Sequence, residues 1–88
     1  MLYFVYVLKS EVDGTYYKGS CSDYHKRLAD HNSGLSRYTS HKRPWKLIYA
    51  EGHPDKRSAL IRERKLKHCK ADYFEWFVEQ PSNLLKKL

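Results

Sequence analysis

The sequence predicts an α+β domain, and three observations point there. Two segments rich in β-branched and aromatic residues flank an Asp-Gly turn, a third such segment lies mid-chain, and helical segments follow the second and third. Residues 2–9 read as the first strand and Thr15 to Ser20 as the second, with Ser10-Glu11-Val12-Asp13-Gly14 between them as a hairpin loop. Side chains alternate along a strand with period two. A loop with an even number of residues therefore puts Tyr6 and Tyr17 on one face of the pair, and an odd loop or a bulge separates them.

Ser22 or Asp23 is placed to cap a helix running to about Ser33, and Gly34 to end it in the left-handed conformation. Tyr24, Leu28 and His31 share one arc of that helix, with Arg27 at its edge. Residues 34–44 are polar and basic and read as a loop. Trp45 to Glu51 is a third strand, and Gly52-His53-Pro54-Asp55 a turn. A helix follows from Lys56 to Lys70, then a short aromatic helix from Ala71 to Glu79 that Pro81 ends. Residues 1–80 are expected to form one domain and 81–88 a C-terminal tail that frays.

Eighty-eight residues suffice for one domain with a modest core. No window approaches the apolar length of about 18 residues that a membrane span needs, so no membrane association is expected. The apolar N-terminus has no basic flank or small-residue cleavage site, and it reads as a strand rather than a signal peptide. Cys21 and Cys69 are too few to staple a secreted fold, which points to thiols in a cytoplasmic protein. Seventeen Lys plus Arg against ten Asp plus Glu give a net charge of +7, with eight tyrosines and two tryptophans interleaved. Such a surface suits a polyanion, because lysine and arginine displace phosphate counterions while aromatic rings stack on bases. The same charge also serves solubility, so charge by itself does not decide function.

The candidate chemistry sits on few residues. On the wheel of the Lys56–Lys70 helix, with Ala59 at zero, Leu66 falls at about −20° and Glu63 at about +40°. Glu63 is thus inside the apolar arc, where a carboxylate needs a cationic partner; Arg62, Lys67 or Arg27 is available. Arg27 and His31 stand one turn apart and can reach the same anion, although His31 is also placed to cap its own helix. Tyr6 and Tyr17 pack as strand tyrosines do, and their shared face is the reason to single them out. Cys21-x3-His25 has possible ligand spacing, but no C-x-x-C or H-E-x-x-H occurs and zinc is not expected. No P-loop, G-x-G-x-x-G or G-x-S-x-G is present to support nucleotide or serine-hydrolase chemistry.

Taken in order, five segments resemble one family. Phe4-Val5-Tyr6 and Tyr17-Lys18-Gly19 resemble the two tripeptides of the GIY-YIG nuclease superfamily, which includes the nuclease domain of the excinuclease C subunit and phage homing endonucleases. Arg27-Leu28-Ala29-Asp30-His31-Asn32-Ser33-Gly34 is similar to the R-L-x-x-H-N-x-G segment of its small single-domain bacterial members. Arg43 to Tyr49 is similar to their third-strand region and Ala59 to Lys67 to their glutamate helix, so the resemblance covers about residues 2–78. Three positions depart from the pattern. Phe4 stands where glycine or another aromatic is usual, Lys18 replaces an apolar residue, and Ser20 stands where excinuclease-type domains carry lysine. Lys67 or Lys65 would have to supply that charge here.

The resemblance implies a three-stranded antiparallel sheet flanked by helices and a metal-dependent DNA endonuclease, a nickase, in DNA repair or processing. Its catalytic positions fall on Tyr6, Tyr17, Arg27, His31 and Glu63, with Glu63 holding a single Mg²⁺ or Mn²⁺. Arg27 would pair with the phosphate, either tyrosine would activate water, and His31 would shuttle a proton or orient a neighbour. All five are expected to converge on one concave patch. Lys18, Arg37, Lys42, Arg43 and Lys67 are the expected nucleic-acid contacts; Lys18, opposite Tyr17, should meet solvent or DNA. DNA is the expected partner, with RNA as an alternative, and a homodimer or a protein partner would serve double-strand cleavage or targeting. The competing reading is a catalytically inactive nucleic-acid-binding module on a nuclease scaffold.

Overall fold

The apolar run at the start of the chain becomes the central strand. In the computed structural model, which describes residues 2–35, 39–81 and 83–87, β1 (Tyr3–Ser10) pairs antiparallel with β2 (Tyr16–Cys21) and with β3 (Trp45–His53), giving the order β2-β1-β3. A strand paired on both edges and covered on both faces is apolar at consecutive positions, and Val5, Tyr6, Val7 and Leu8 are at most 1% exposed. Its pairing with β2 sets Tyr6 opposite Gly19 and Leu8 opposite Tyr17. Tyr6 and Tyr17 therefore share a face, as an even hairpin loop requires. The turn is closed by Ser10 N–H donating to the Thr15 carbonyl at 2.8 Å, and Gly14 takes φ +77°, which favours glycine.

One face of the sheet is covered by α1 (Tyr24–Ser33), whose Tyr24 and Leu28 pack on Tyr6, Leu8, Cys21 and Trp45. The opposite face is covered by α2 (Lys56–Lys67) and α3 (Ala71–Phe77). There Ala59, Leu66, Phe74 and Phe77 pack on Val5, Val7 and Tyr49. This is the three-layer α+β arrangement expected of the sequence. An irregularity in the β1–β3 register shapes both layers: Val7 faces Tyr49 but Leu8 faces Leu47, so β3 carries one extra residue at Ile48. The bulge sends Trp45 and Leu47 toward α1 and Tyr49 and Glu51 toward α2.

Several boundaries differ from expectation. β3 continues through Gly52 and His53, read from sequence as a turn, because β1 extends far enough for Tyr3 and Phe4 to pair with them. α2 ends at Lys67 with His68 as its cap rather than at Lys70, and α3 ends at Phe77 rather than Glu79. The loop after α1 contains a 3-10 turn at Ser40–Lys42. Near the C-terminus, Asn83 is buried. Its Nδ2 donates to the carbonyls of Ile48 and Val78, each at 2.9 Å, and its Oδ1 accepts from Ala50 N–H at 3.3 Å. This asparagine ties the segment to β3, and a 3-10 turn follows at Leu84–Lys87.

Candidate active site

The α1 face of the sheet holds a buried line of polar groups. Asp23 caps α1 by accepting from Lys26 N–H at 3.1 Å, and Gly34 ends it at φ +85°. Fixed at both ends, the helix turns His31 fully into the core, where its Nε2 lies 3.2 Å from the Tyr6 hydroxyl and its Nδ1 2.8 Å from Thr39 Oγ1. Tyr6 reaches this position by crossing over Gly19: a Cβ there would sit 2.6 Å from the phenol oxygen. The glycine of Tyr17-Lys18-Gly19 is thus required by close approach of a tyrosine from the neighbouring strand. Tyr17 stands beside them, its ring centroid 4.7 Å from that of His31 and 6.3 Å from that of Tyr6.

Arg27 completes the group. Its side chain is 41% exposed and lies 3.4 Å from Asp30, and its charge acts on the Tyr6 phenol. Burial pushes the Tyr6 phenol up to about 12; the neighbouring Arg27 guanidinium works against that rise, and the Tyr17 phenol adds to it. Burial, and then the Arg27 charge, push His31 below its ordinary value. At neutral pH the pair is a neutral phenol against a neutral imidazole. His31 does not serve as a cap for its own helix, because both ring nitrogens are engaged in the core.

Four of the five expected positions, Tyr6, Tyr17, Arg27 and His31, therefore come together. Glu63 does not join them directly. It lies on α2, in the opposite layer, where its carboxylate is 2.9 Å from Lys67 Nζ and its side chain 15% exposed. Among the described residues no hydrogen bond or ion pair links it to the other four. A carboxylate from that layer would approach the α1 face around β2, which is an edge strand.

The expected nucleic-acid contacts are scattered. Lys18 points away from Tyr17, as alternation requires, but its ammonium is partly buried 5.3 Å from the Phe74 ring centroid rather than free for DNA, and that burial lowers its pKa. Lys42 is held by Asp13 at 2.9 Å and Thr15 at 3.0 Å. Arg43 is exposed and its guanidinium lies against Gly34. Lys67 is more than half exposed beyond its bond to Glu63. Arg37 lies outside the described residues.

Two contributors escaped the sequence reading. Thr39 binds His31, and its carbonyl accepts from Trp45 Nε1 at 2.9 Å. Asn32 donates from Nδ2 to the Trp45 carbonyl at 3.1 Å and accepts from Trp45 N–H through Oδ1. The Asn beside His31 was a signal for the second; nothing local marks the first. A separate polar cluster lies across the sheet, where Glu51 accepts from Tyr49 at 2.6 Å and from Arg62 Nε at 3.2 Å and also meets His53. It borders a cleft of about 700 Å³ lined by Leu2, His53, Arg62 and Leu84 among others.

Comparison with known proteins agrees with this fold. The GIY-YIG catalytic domain family matches residues 2–79. A UPF0213 protein of Streptococcus pneumoniae TIGR4 is 44% identical over 85 residues, covering 93% of this chain and 85% of the relative. The UPF0213 protein YazA of Bacillus subtilis 168 is 37% identical over 82 residues, covering 92% and 82%. A UPF0213 protein of Bacillus halodurans, solved by solution NMR, superposes with a TM-score of 0.58 at 29% identity, covering 97% of this chain and 90% of that one. With the family's domain running from the first strand to the end of the last helix, this chain belongs to the GIY-YIG nuclease superfamily.

Proposed function

We propose that this protein is a metal-dependent endonuclease that hydrolyses DNA phosphodiester bonds, cutting one strand per event. The observation that carries the reading is the buried Tyr6–His31–Thr39 line with the partly exposed Arg27 and Tyr17 at its open end. Arg27 offers a planar, permanently charged donor fork to a non-bridging phosphate oxygen and stabilises the charge that builds there. Its ion pair with Asp30 limits its rotation, so the fork is oriented before substrate arrives.

The geometry also divides the tyrosines. Tyr6 is sequestered and its high pKa keeps it protonated, so it positions its neighbours and takes no proton from water. Tyr17, partly exposed beside it, orients the attacking water, and takes its proton only as the phenolate that a neighbouring cation such as Arg27 or the metal ion would favour. His31, with both nitrogens engaged and no exposure, holds Tyr6 in place rather than carrying protons to solvent.

A divalent ion fits the donor set in a limited way. Among the described residues no three His, Cys, Asp or Glu side chains form a group, so Glu63 would be the lone protein carboxylate. A hard cation such as Mg²⁺ or Mn²⁺ tolerates that by keeping water and substrate oxygens as its other ligands. Lys67, mostly exposed, is free to rotate off Glu63 and leave it available. When bound, the ion supplies charge neutralisation at the scissile phosphate.

In this reading the substrate is DNA in the cytoplasm, in keeping with the free thiols Cys21 and Cys69. One active site nicks; double-strand cleavage requires a dimer or a targeting partner. The position of Glu63 in the other layer, paired with Lys67, favours the alternative of a binding module without chemistry. The test is incubation with supercoiled plasmid and Mg²⁺ or Mn²⁺, with EDTA and Glu63→Ala controls. Metal-dependent nicking abolished by the substitution supports the nuclease. Binding by both proteins with nicking by neither supports the module.

A further inference from the structure

We infer that the outer face of α2 is a docking surface for a peptide segment of another protein, one that carries carboxylates around an apolar side chain. The surface is built within a single helix. Lys56, Arg57, Leu60, Ile61 and Arg64 line a concavity of about 500 Å³, and all five are exposed. Residues three and four apart are neighbours on a helix, so Leu60 and Ile61 stand side by side with Lys56 and Arg57 one turn before them and Arg64 one turn after. Arg57 and Arg64 lie seven residues apart, about 10 Å along the axis, with the apolar pair between them.

Charge and apolar exposure together identify the occupant. Among the described residues, none of the three cations forms a salt bridge. Two carboxylates of the same stretch are engaged elsewhere: Asp55 caps the helix by accepting from Ser58 N–H and Oγ, each at 2.8 Å, and Glu63 is held by Lys67 at 2.9 Å. Three cations in one concavity are complementary to an anionic partner. Leu60 and Ile61 are 37% and 47% exposed, on a helix whose Ala59 and Leu66 already fill the core. An apolar centre with a charged rim is the anatomy of a protein contact, whereas a phosphate backbone gives such side chains nothing to bury against. A second copy of this chain, docked face to face, would set three cations against three. DNA gripped here would lie across the sheet from Arg27, because α1 and α2 cover opposite faces. A peptide docked on α2 leaves the α1 face open, and the surface does not depend on the nuclease reading.

The test selects binders to the full chain from a phage-displayed library of random short peptides at physiological salt, then maps the most enriched peptide on ¹⁵N-labelled protein by NMR. The expected peptides carry Asp or Glu on either side of an apolar residue, and the amide shifts they cause centre on Lys56 to Arg64. Affinity for that peptide should fall by about 10-fold or more in Arg57→Glu/Arg64→Glu and in Leu60→Ser/Ile61→Ser, the scale of losing central contacts. Lys46→Glu/Lys70→Glu reverses the same number of exposed charges elsewhere and should leave it nearly unchanged. No enrichment, or shifts centred on another surface, overturns the inference. So does equal weakening by the Lys46/Lys70 control, which means attraction to net charge alone. Shifts at Lys56 to Arg64 caused by a short DNA duplex but not by peptide assign the face to DNA, and shifts there that grow with protein concentration alone assign it to a second copy; either overturns it. If Leu60→Ser/Ile61→Ser does not fold, the arginine variant and the map on the unsubstituted protein decide by themselves.

Discussion

The two faces of one three-stranded sheet both bury polar networks, and they do so for different ends. On the α2 side the network is built around a charge: Glu51 accepts from Tyr49 and Arg62 and meets His53, so its charge is answered within the fold. On the α1 side the network is built around neutral groups, Tyr6, His31 and Thr39, and the one cation beside them, Arg27, is 41% exposed. A charge satisfied by its own neighbours stabilises a fold. A cation held in place but open to solvent is available to an anion from outside. On the proposed reading the α1 side presents the phosphate-gripping cation, while the Glu51 cluster on the α2 side serves stability.

The sharpest way to break that contrast is to remove each side's cation or acceptor and compare activity with stability. Arg27→Ala is expected to lower plasmid nicking by about 100- to 1000-fold, the cost of losing one transition-state donor. Its unfolding midpoint in urea should barely move, because the side chain is partly exposed. A variant that nicks normally but unfolds early would reverse the assignment.

Alkaline titration probes the α1 face directly. The Tyr6 phenol is held at about 12 in the folded protein, against about 10 for a free phenol, so the folded state retains that proton longer than the unfolded chain does. The associated stability is whole below pH 10 and drains away as pH rises toward 12, by about 2–3 kcal/mol in all. Denaturation measured at pH 9 and pH 11.5 should show a smaller fall in Tyr6→Phe than in the unsubstituted protein. Equal falls would mean that the phenol is not sequestered.

Gly19→Ala tests the same packing from the neighbouring strand. Its methyl group would meet the Tyr6 hydroxyl at 2.6 Å, which should cost about 1–3 kcal/mol as overpacking and displace the phenol. Nicking should fall with it. Combined with Tyr6→Leu, which removes the ring whose hydroxyl and Cζ would lie 2.6 and 2.7 Å from that methyl, the two stability losses should sum to less than their separate values; simple addition would argue against the contact. The smallest effect is expected across the sheet. Glu51→Gln should cost about 1–2 kcal/mol through weakened charged hydrogen bonds, with nicking per folded molecule unchanged.

Local pattern was enough to place the strands and helices, because each carries its own cue. The Asp-Gly turn marked the hairpin, though its parity came only from the register, and Asp23 and Gly34 framed α1 within a residue. The ends of β3 and α2 were less legible. How far a strand runs depends on the length of its partner, and Tyr3 pairing with His53 is a long-range fact.

The sequence by itself singled out the candidate side chains and, through one helical turn along α1, set Arg27 on a side with His31; that Tyr6 shares a face with Tyr17 followed only once the register gave the hairpin loop its even length. Tertiary structure alone decided the rest. The bulge at Ile48 turns Trp45 and Tyr49 to opposite faces, where strict alternation would have kept them together. Thr39 meets His31 eight residues away along the chain, a spacing that no local periodicity relates. Glu63 keeps to the opposite layer with Lys67. A periodicity fixes the direction of a side chain relative to its own backbone, whereas the partner it meets depends on how separate elements pack.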